Sequence, residues 1–365
     1  MRYIPILIVS LFVIGCREKS KTIREISLEE IASDTLVLEK DQMTKGLGSD
    51  FTFIHSDSGQ VLLSFNTHHV LFHSYPEGKI LKKLKFEKEG PDGIGSYISG
   101  SFITDSLIYF LSENKWMRSN FQGQVLERIP LPEASVERLA VNYSTFPFNR
   151  IRFSENKFLI ADVPFVLKEN FLDYNQWIIK FDPASKTQEY IEFKFPKYYR
   201  NLLEDQTFSS YNYCFVPEKN EFLISFPGTD SILVISEKVQ NWVNASPIEK
   251  MEFLVGATEE RGDWIVFSPN YKSSKHSWVH YDPYTSKYYR QSIIRPDIGD
   301  LQEPGQKPLV KLLVFNEQWE KEYEVILPFA SSGFQTPDGF YYQIGYLGSE
   351  DQVGYVKLDF SKINP

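Results

Sequence analysis

Cys16 is the residue whose surroundings say most about its chemistry. Arg2 provides a positive start, residues 4–14 are an apolar run, and Gly15 stands directly before the cysteine. A run of about a dozen residues is too short to cross a bilayer, which takes about 20. A charged start, a short apolar run and a small residue make the layout of a secretory signal. A thiol at this point is a nucleophile for an acyl group, and Gly15 suits a cleavage site that admits only small side chains. Two or more acyl chains hold a protein stably on a membrane where one holds it marginally. The expectation is a removed signal at 1–15, a lipidated Cys16, a polar tether over 16–33 and a folded body over 34–365. Weak helical character is visible at 26–31.

The other groups able to do chemistry are sparse. With Cys16 acylated, Cys214 has no disulfide partner in the chain. It lies in the alternating stretch 211–216 and reads as a buried structural thiol. His68, His69 and His73 resemble a metal cluster at first sight. On a strand, however, His69 and His73 share a face at about 13 Å, too far apart to chelate one ion. They read as solvent-exposed strand histidines, and no metal or cofactor is expected. The sequence holds no HExxH, GxSxG, phosphate-loop, dinucleotide or paired-cysteine motif. Asp297-Ile298-Gly299-Asp300 is too short for a calcium loop. A net charge of −9 argues against nucleic acid and anionic lipid as partners.

Three polar segments are left as candidate binding loops. Residues 87–95 hold three glycines and a proline among Lys88, Glu89 and Asp92. Residues 143–150 end in Arg150, and 197–201 include Tyr199 and Arg200. Aromatic rings beside arginines can stack on and hydrogen-bond a sugar, a peptide or a carboxylate. They also serve as ordinary loop packing.

The body that must position these loops reads as all-β. Its 29 Phe and 21 Tyr fall in short alternating runs split by Gly, Pro, Asn, Asp and Ser, and helical periodicity is almost absent after residue 40. The runs group in fours: 51–57, 60–66, 69–75 and 79–86; 97–104, 106–112, 115–121 and 124–131; 150–155, 157–163, 175–182 and 186–195; 211–216, 221–226, 231–236 and 239–244; 277–282, 287–294, 309–316 and 322–327. Only three remain at the end: 333–336, 340–346 and 353–360. Repeating four-stranded units are blades of a β-propeller. The run 35–39 lacks a partner of its own, and the last group lacks a strand. An open edge is a liability, so this N-terminal run is expected to complete the last of six blades. Residues 245–275 contain two further runs, 251–255 and 264–267. They would make a seventh blade if paired, but an insertion between the fourth and fifth blades is preferred. A two-sheet sandwich or a pair of β domains is the remaining alternative. In a propeller, the connections between blades ring the central channel, and the three candidate loops are expected there.

The lipobox-like Val13-Ile14-Gly15-Cys16, the segment Glu89-Gly90-Pro91-Asp92-Gly93, and Tyr281-Asp282-Pro283-Tyr284 followed by Tyr288-Tyr289-Arg290 together resemble a family of Bacteroidetes lipoproteins of uncharacterised function with a six-bladed propeller fold. The resemblance implies a fold and a place in the bacterial cell envelope, with the outer membrane as the expected anchor and either face open. It implies no reaction. The leading expectation is a binding module for a protein, peptide or glycan. The alternative is an exported hydrolase or lyase acting on a glycan or small molecule, which would need carboxylates or a metal converging on the channel.

Overall fold

Most strands of this chain are apolar on both faces, and the packing explains why. The computed structural model describes residues 23–363 apart from 42–46, 48–49, 57–58, 67, 132–135, 137, 144–148, 168–171, 204, 238, 263, 296–306 and 347–349. Its strands form six sheets, each built on a four-stranded antiparallel meander, and one separate hairpin. Blade 1 is Asp50–Ser56, Gly59–Asn66, His69–Ser74 and Ile80–Lys85; blade 2 is Ile98–Ile103, Leu107–Ser112, Lys115–Asn120 and Val125–Pro130. Blade 4 is Asn212–Val216, Glu221–Ser225, Ser231–Ser236 and Val239–Asn244. Blade 5 is Lys275–Asp282, Lys287–Ile294, Leu309–Phe315 and Lys321–Leu327. The first strands of blades 1 and 2, 2 and 3, 4 and 5, and 6 and 1 touch. First strands therefore surround the axis, and the ring is closed.

The hydrophobic core is divided into wedges between blades. Leu63 of blade 1 packs with Ile108 and Met117 of blade 2. Trp116 packs with Phe158 of blade 3, Trp177 with Phe215 of blade 4, and Leu223 with Tyr288 of blade 5. Leu312 then packs with Tyr342 of blade 6, and Phe334 with Leu62 of blade 1. Each blade is thus buried on both faces, so alternation sends successive side chains to different wedges rather than to core and solvent. Tyr213 and Phe215 join the wedge toward blade 3, while Cys214 and Val216 join the one toward blade 5. Fully burying each such side chain contributes roughly 1.5–3 kcal/mol.

The last blade closes as expected. Gly333–Thr336, Gly339–Tyr346 and Gln352–Leu358 are joined by the N-terminal strand Ala32–Glu39 as the outer strand. It pairs antiparallel with Gln352–Leu358, Leu36 opposite Tyr355 and Leu38 opposite Val353. Leu36 and Leu38 are buried with Phe51, Leu62 and Tyr75 of blade 1. The backbone N–H of Glu39 donates to the Gly78 carbonyl at 2.9 Å, its carboxylate accepts from the Ile80 N–H at 3.0 Å, and its carbonyl accepts from His73 Nε2 at 2.9 Å. One strand therefore fastens blade 6 to blade 1.

Several expectations need correction. Residues 24–33 are part of the body, not of a tether: Arg24–Ser27 adds a fifth, parallel strand to blade 5 beside Lys321–Leu327. Ser27 and Glu30 then start the four-residue helix Leu28–Ile31, with the Ser27 N–H donating to Glu30 at 2.8 Å. Ile26, Leu28 and Ile31 are buried between blades 5 and 6, which ties the segment down. His68 and His73 are buried rather than exposed: His68 Nε2 donates to the Gly95 carbonyl at 2.7 Å, and His73 serves ring closure. In blade 3 the expected first strand 150–155 is two pieces. Arg138–Tyr143 and Arg152–Ser154 both pair with the same edge of the long strand Lys157–Leu167, which is followed by Gln176–Asp182 and Thr187–Glu192. Residues 245–275 are an insertion, as preferred. Within it Trp264–Ser268 pairs with Ala257–Arg261, a partner not anticipated, and 251–255 is not a strand.

Candidate functional site in the central channel

The split first strand of blade 3 sets up the site. Asn149 is buried just before the second piece. Its side-chain carbonyl accepts from the Tyr213 N–H at 2.9 Å, and its amide donates to the Tyr211 carbonyl at 2.9 Å. The Tyr213 hydroxyl donates to the Arg150 carbonyl at 2.6 Å. The backbone around Arg150 is thereby held against the first strand of blade 4. Arg150 and Arg152 are two residues apart in extended chain and project to one side, where they line a cavity of about 40 Å³.

Blades 3 to 6 all contribute to this cavity: Tyr213 and Cys214 from blade 4, Trp278, Val279 and His280 from blade 5, and Ser332, Gly333 and Phe340 from blade 6. Arg150 Nη2 donates to the Gly333 carbonyl at 2.8 Å, and Trp278 Nε1 donates to the Ser331 carbonyl at 2.9 Å. The Arg152 side chain makes no hydrogen bond or ion pair among the described residues. No carboxylate is among the described residues of the wall.

His280 adds no positive charge. Burial, and then the neighbouring Arg150, push its pKa down to about 3. Its hydrogen bond fixes the tautomer. Gln335 donates its amide to Asp282 at 3.0 Å, so the Gln335 carbonyl faces His280 Nε2 at 3.3 Å and accepts from it. Asp282, the acid at the end of this relay, is buried and also accepts from the Tyr284 N–H, the Thr285 hydroxyl and the Tyr289 hydroxyl. The wall thus combines two guanidiniums, a neutral imidazole and aromatic surface.

Of the residues expected to bind ligand, only Arg150 is on this wall. Lys88, Glu89 and Asp92 are exposed in a loop that runs along the outer strand of blade 2, away from the first strands. Asp92 accepts from the Val125 N–H at 2.9 Å, and Arg128 donates to the carbonyls of Pro91 at 2.6 Å and Gly93 at 2.9 Å. The glycines serve that close path: a Cβ on Gly93 would overlap the Glu89 backbone. Tyr199 is fully buried with Phe195 and Phe226, its hydroxyl accepting from the Gly228 N–H. Arg200, beside it, is exposed. Of the segment 143–150, residues 144–148 lie outside the described residues, as do Cys16 and 297–300. Arg152, Tyr213 and His280 were not anticipated. The i, i+2 rule applied to Arg150 would have found Arg152.

Two other constellations invite attention. Ser292, His276 and Asp230 form a chain, with His276 Nδ1 2.9 Å from the Ser292 hydroxyl and Nε2 3.4 Å from Asp230. Ser292 and His276 are buried, so that hydroxyl meets no substrate. Glu25, Glu249 and Glu324 gather their carboxylates as metal ligands would, but the Lys311 ammonium sits among them, bonding Glu249 at 2.5 Å, Glu324 at 2.9 Å and also Glu25. Burial disfavours its charge, and the three carboxylates outweigh burial and raise its pKa. This cluster clamps strand Arg24–Ser27 onto blade 5. Among the described residues, no helix is long and apolar enough to cross a membrane.

Comparison with known proteins agrees with this architecture. A solved structure of a DUF4221 family member from Bacteroides vulgatus ATCC 8482 is similar at a TM-score of 0.68 and 14% identity, over 90% of this chain and 97% of that one. A second, described as a "Putative exported protein" from Bacteroides fragilis NCTC 9343, is similar at a TM-score of 0.55 and 10% identity, over 92% and 98%. At these identities the likeness shows the six-bladed fold alone. No curated protein matches the chain. The family model "Domain of unknown function (DUF4221)" matches residues 25–322, and the chain belongs to that family.

Proposed function

We infer that this chain is a lipid-anchored, exported binding protein, acylated at Cys16, whose propeller takes a ligand in the central channel. The observation that carries the reading is the cavity wall: guanidinium, hydroxyl and aromatic groups from four blades converge on one small space. Polar groups set beside apolar and aromatic surface in a concave space are the usual make-up of a ligand site. The signal-like N-terminus supports export, and the similarity to a Bacteroides fragilis protein described as exported points the same way. A hydrolase or lyase would need acid–base or metal-ligating groups turned toward the ligand; on the described wall His280 and Cys214 are of that kind, with His280 Nε2 engaged by Gln335 and no carboxylate beside them. A protein, peptide or glycan ligand would enter by an acidic or small terminal group, since the cavity is too small for more.

Two measurements test the two halves of this reading. Mass spectrometry of the membrane fraction should show acyl groups on Cys16 and loss of residues 1–15 in the parent, and neither in Cys16→Ala; a parent without acyl mass, or processing unchanged in the variant, rules out the anchor. Quenching of Trp278 fluorescence, isolated by comparison with Trp278→Phe, should report saturable binding from a panel of peptides, sugars and organic acids. A panel without any saturable change refutes the channel as the binding site.

A further inference from the structure

We propose that the channel cavity is a receptor for the carboxylate head of a small organic acid, with Arg152 as its principal partner. This rests on the reading of the channel as the ligand site and narrows it to one chemistry.

Charge gives the sign. Arg150 and Arg152 both face the cavity, and guanidinium groups stay protonated at any physiological pH. The described wall holds no carboxylate, and His280 is held neutral. Asp282, at the end of the His280–Gln335 relay, is saturated by four donors. A guanidinium in a protein wall ordinarily has an acidic or carbonyl partner. Arg290, fully buried in blade 5, shows what that looks like here: it donates to the carbonyls of Phe226, Thr229 and Ala245 and to the Ser225 hydroxyl. Arg150 has the Gly333 carbonyl. Arg152 has neither kind among the described residues, in a chain whose net charge is −9.

Size and shape give the class. A water-sized group needs about 10–15 Å³ measured this way, so a cavity of about 40 Å³ holds about three such groups. A carboxylate is a carbon and two oxygens. A tetrahedral phosphate or sulfate turns oxygens in every direction, and would set at least one of them against the apolar surface of Trp278 and Phe340. The planar fork of a guanidinium matches two carboxylate oxygens. Ser332 brings a hydroxyl to the wall, and Trp278 and Phe340 bring apolar surface for the carbon next to the carboxylate.

The test is calorimetric titration of the full-length chain in detergent with acetate, propionate and lactate. Acetamide serves as a neutral isostere, and inorganic phosphate and glucose as competing chemistries. At least one of the three acids should bind saturably and acetamide should not, and Arg152→Gln should weaken the acid at least tenfold. Arg152→Lys, which keeps charge and loses the fork, should recover only part of that loss. The thermal midpoint of Arg152→Gln without ligand should match the parent, because the substitution keeps the backbone pairing with Leu159 and removes no side-chain hydrogen bond or ion pair among the described residues. Binding of phosphate or glucose in the channel without binding of any acid overturns the carboxylate assignment and leaves the channel reading standing. Unchanged acid affinity in Arg152→Gln overturns the role of Arg152. Silence of Trp278 toward every probe overturns both.

Discussion

The side chain of Asn149 stands in for a β-strand toward Tyr213: it accepts from the Tyr213 N–H and, through its amide, donates to the carbonyl of Tyr211. This carboxamide joins blade 3 to blade 4 at the channel, together with the Tyr213 hydroxyl on the Arg150 carbonyl, and the guanidinium wall begins at the next residue. Asn149→Ala removes the hydrogen bonds that these two backbone groups make with the side chain, at a cost of about 1–3 kcal/mol for each group that water cannot reach. Urea unfolding should show a loss of about 3 kcal/mol, with Asn149→Asp, which keeps only the acceptor, in between. A loss under about 0.5 kcal/mol, the range of an ordinary surface change, contradicts the role assigned to it.

Ring closure depends on the approach of Val37 to Gly78. Gly78 has φ +71°, and a Cβ there would overlap the Val37 carbonyl oxygen. Gly78→Ala must therefore push the closing strand away, at about 3 kcal/mol or more. Leu38→Ala, at a fully buried position, should cost about 3 kcal/mol by the cavity it leaves. Deleting residues 34–40 should lower the melting temperature sharply. Near-parental unfolding of the deletion would mean that blade 6 closes without its N-terminal strand.

Acid should weaken the fold through histidine. His276 is pushed to about 3 by burial and then by Arg290, and His280 to about 3 by burial and then by Arg150. Unfolded, both titrate near 6.5. Between those values the unfolded chain takes up protons that the folded chain refuses, so stability falls as the pH drops below about 6.5. From pH 7 to pH 5 the unfolding free energy should drop by ~4 kcal/mol, about half from each histidine. The double variant His276→Gln/His280→Gln should flatten that slope. Stability that holds or rises from pH 7 to 5 contradicts the neutral assignment.

Much of this fold was readable because burial on both blade faces leaves a clear mark: short apolar strands separated by strong turns. The same turn recurs in two blades. Asp182 accepts from the Ala184 N–H at 2.9 Å and from the Ser185 hydroxyl at 2.8 Å, and Asp282 accepts from Tyr284 and Thr285 in the same way. The unpartnered run 35–39 and the three-stranded last group together revealed closure. Strand Arg24–Ser27 was hidden because its partner lies about 300 residues away and only Ile26 is buried. The blade 3 break was hidden because pairing with Lys157–Leu167 on one edge resumes after an excursion whose residues look like a loop. Lys88, Glu89 and Asp92 misled because glycine and proline beside charge mark close packing and binding loops alike. At the site itself, Arg150 was legible as an arginine next to aromatics. The convergence of Arg152, Tyr213, Trp278 and His280 was not, since they come from three blades and meet only when the ring closes.

Cys214 borders the cavity yet should be inert. Burial pushes its thiol pKa up, and only the thiolate reacts at a useful rate. In the native protein a disulfide reagent at pH 7.5 should leave Cys214 unmodified over a period in which the urea-unfolded chain reacts completely. Rapid native labelling would show that the blade 4–5 wedge opens readily.

The channel as a ligand site is tested most directly by a crystal structure of the chain grown with propionate. The carboxylate should occupy the cavity, its oxygens about 3 Å from the Arg152 guanidinium nitrogens and its methyl end toward Phe340. A cavity that holds only water, with propionate bound at the outer rim of the blades or nowhere, would contradict the account.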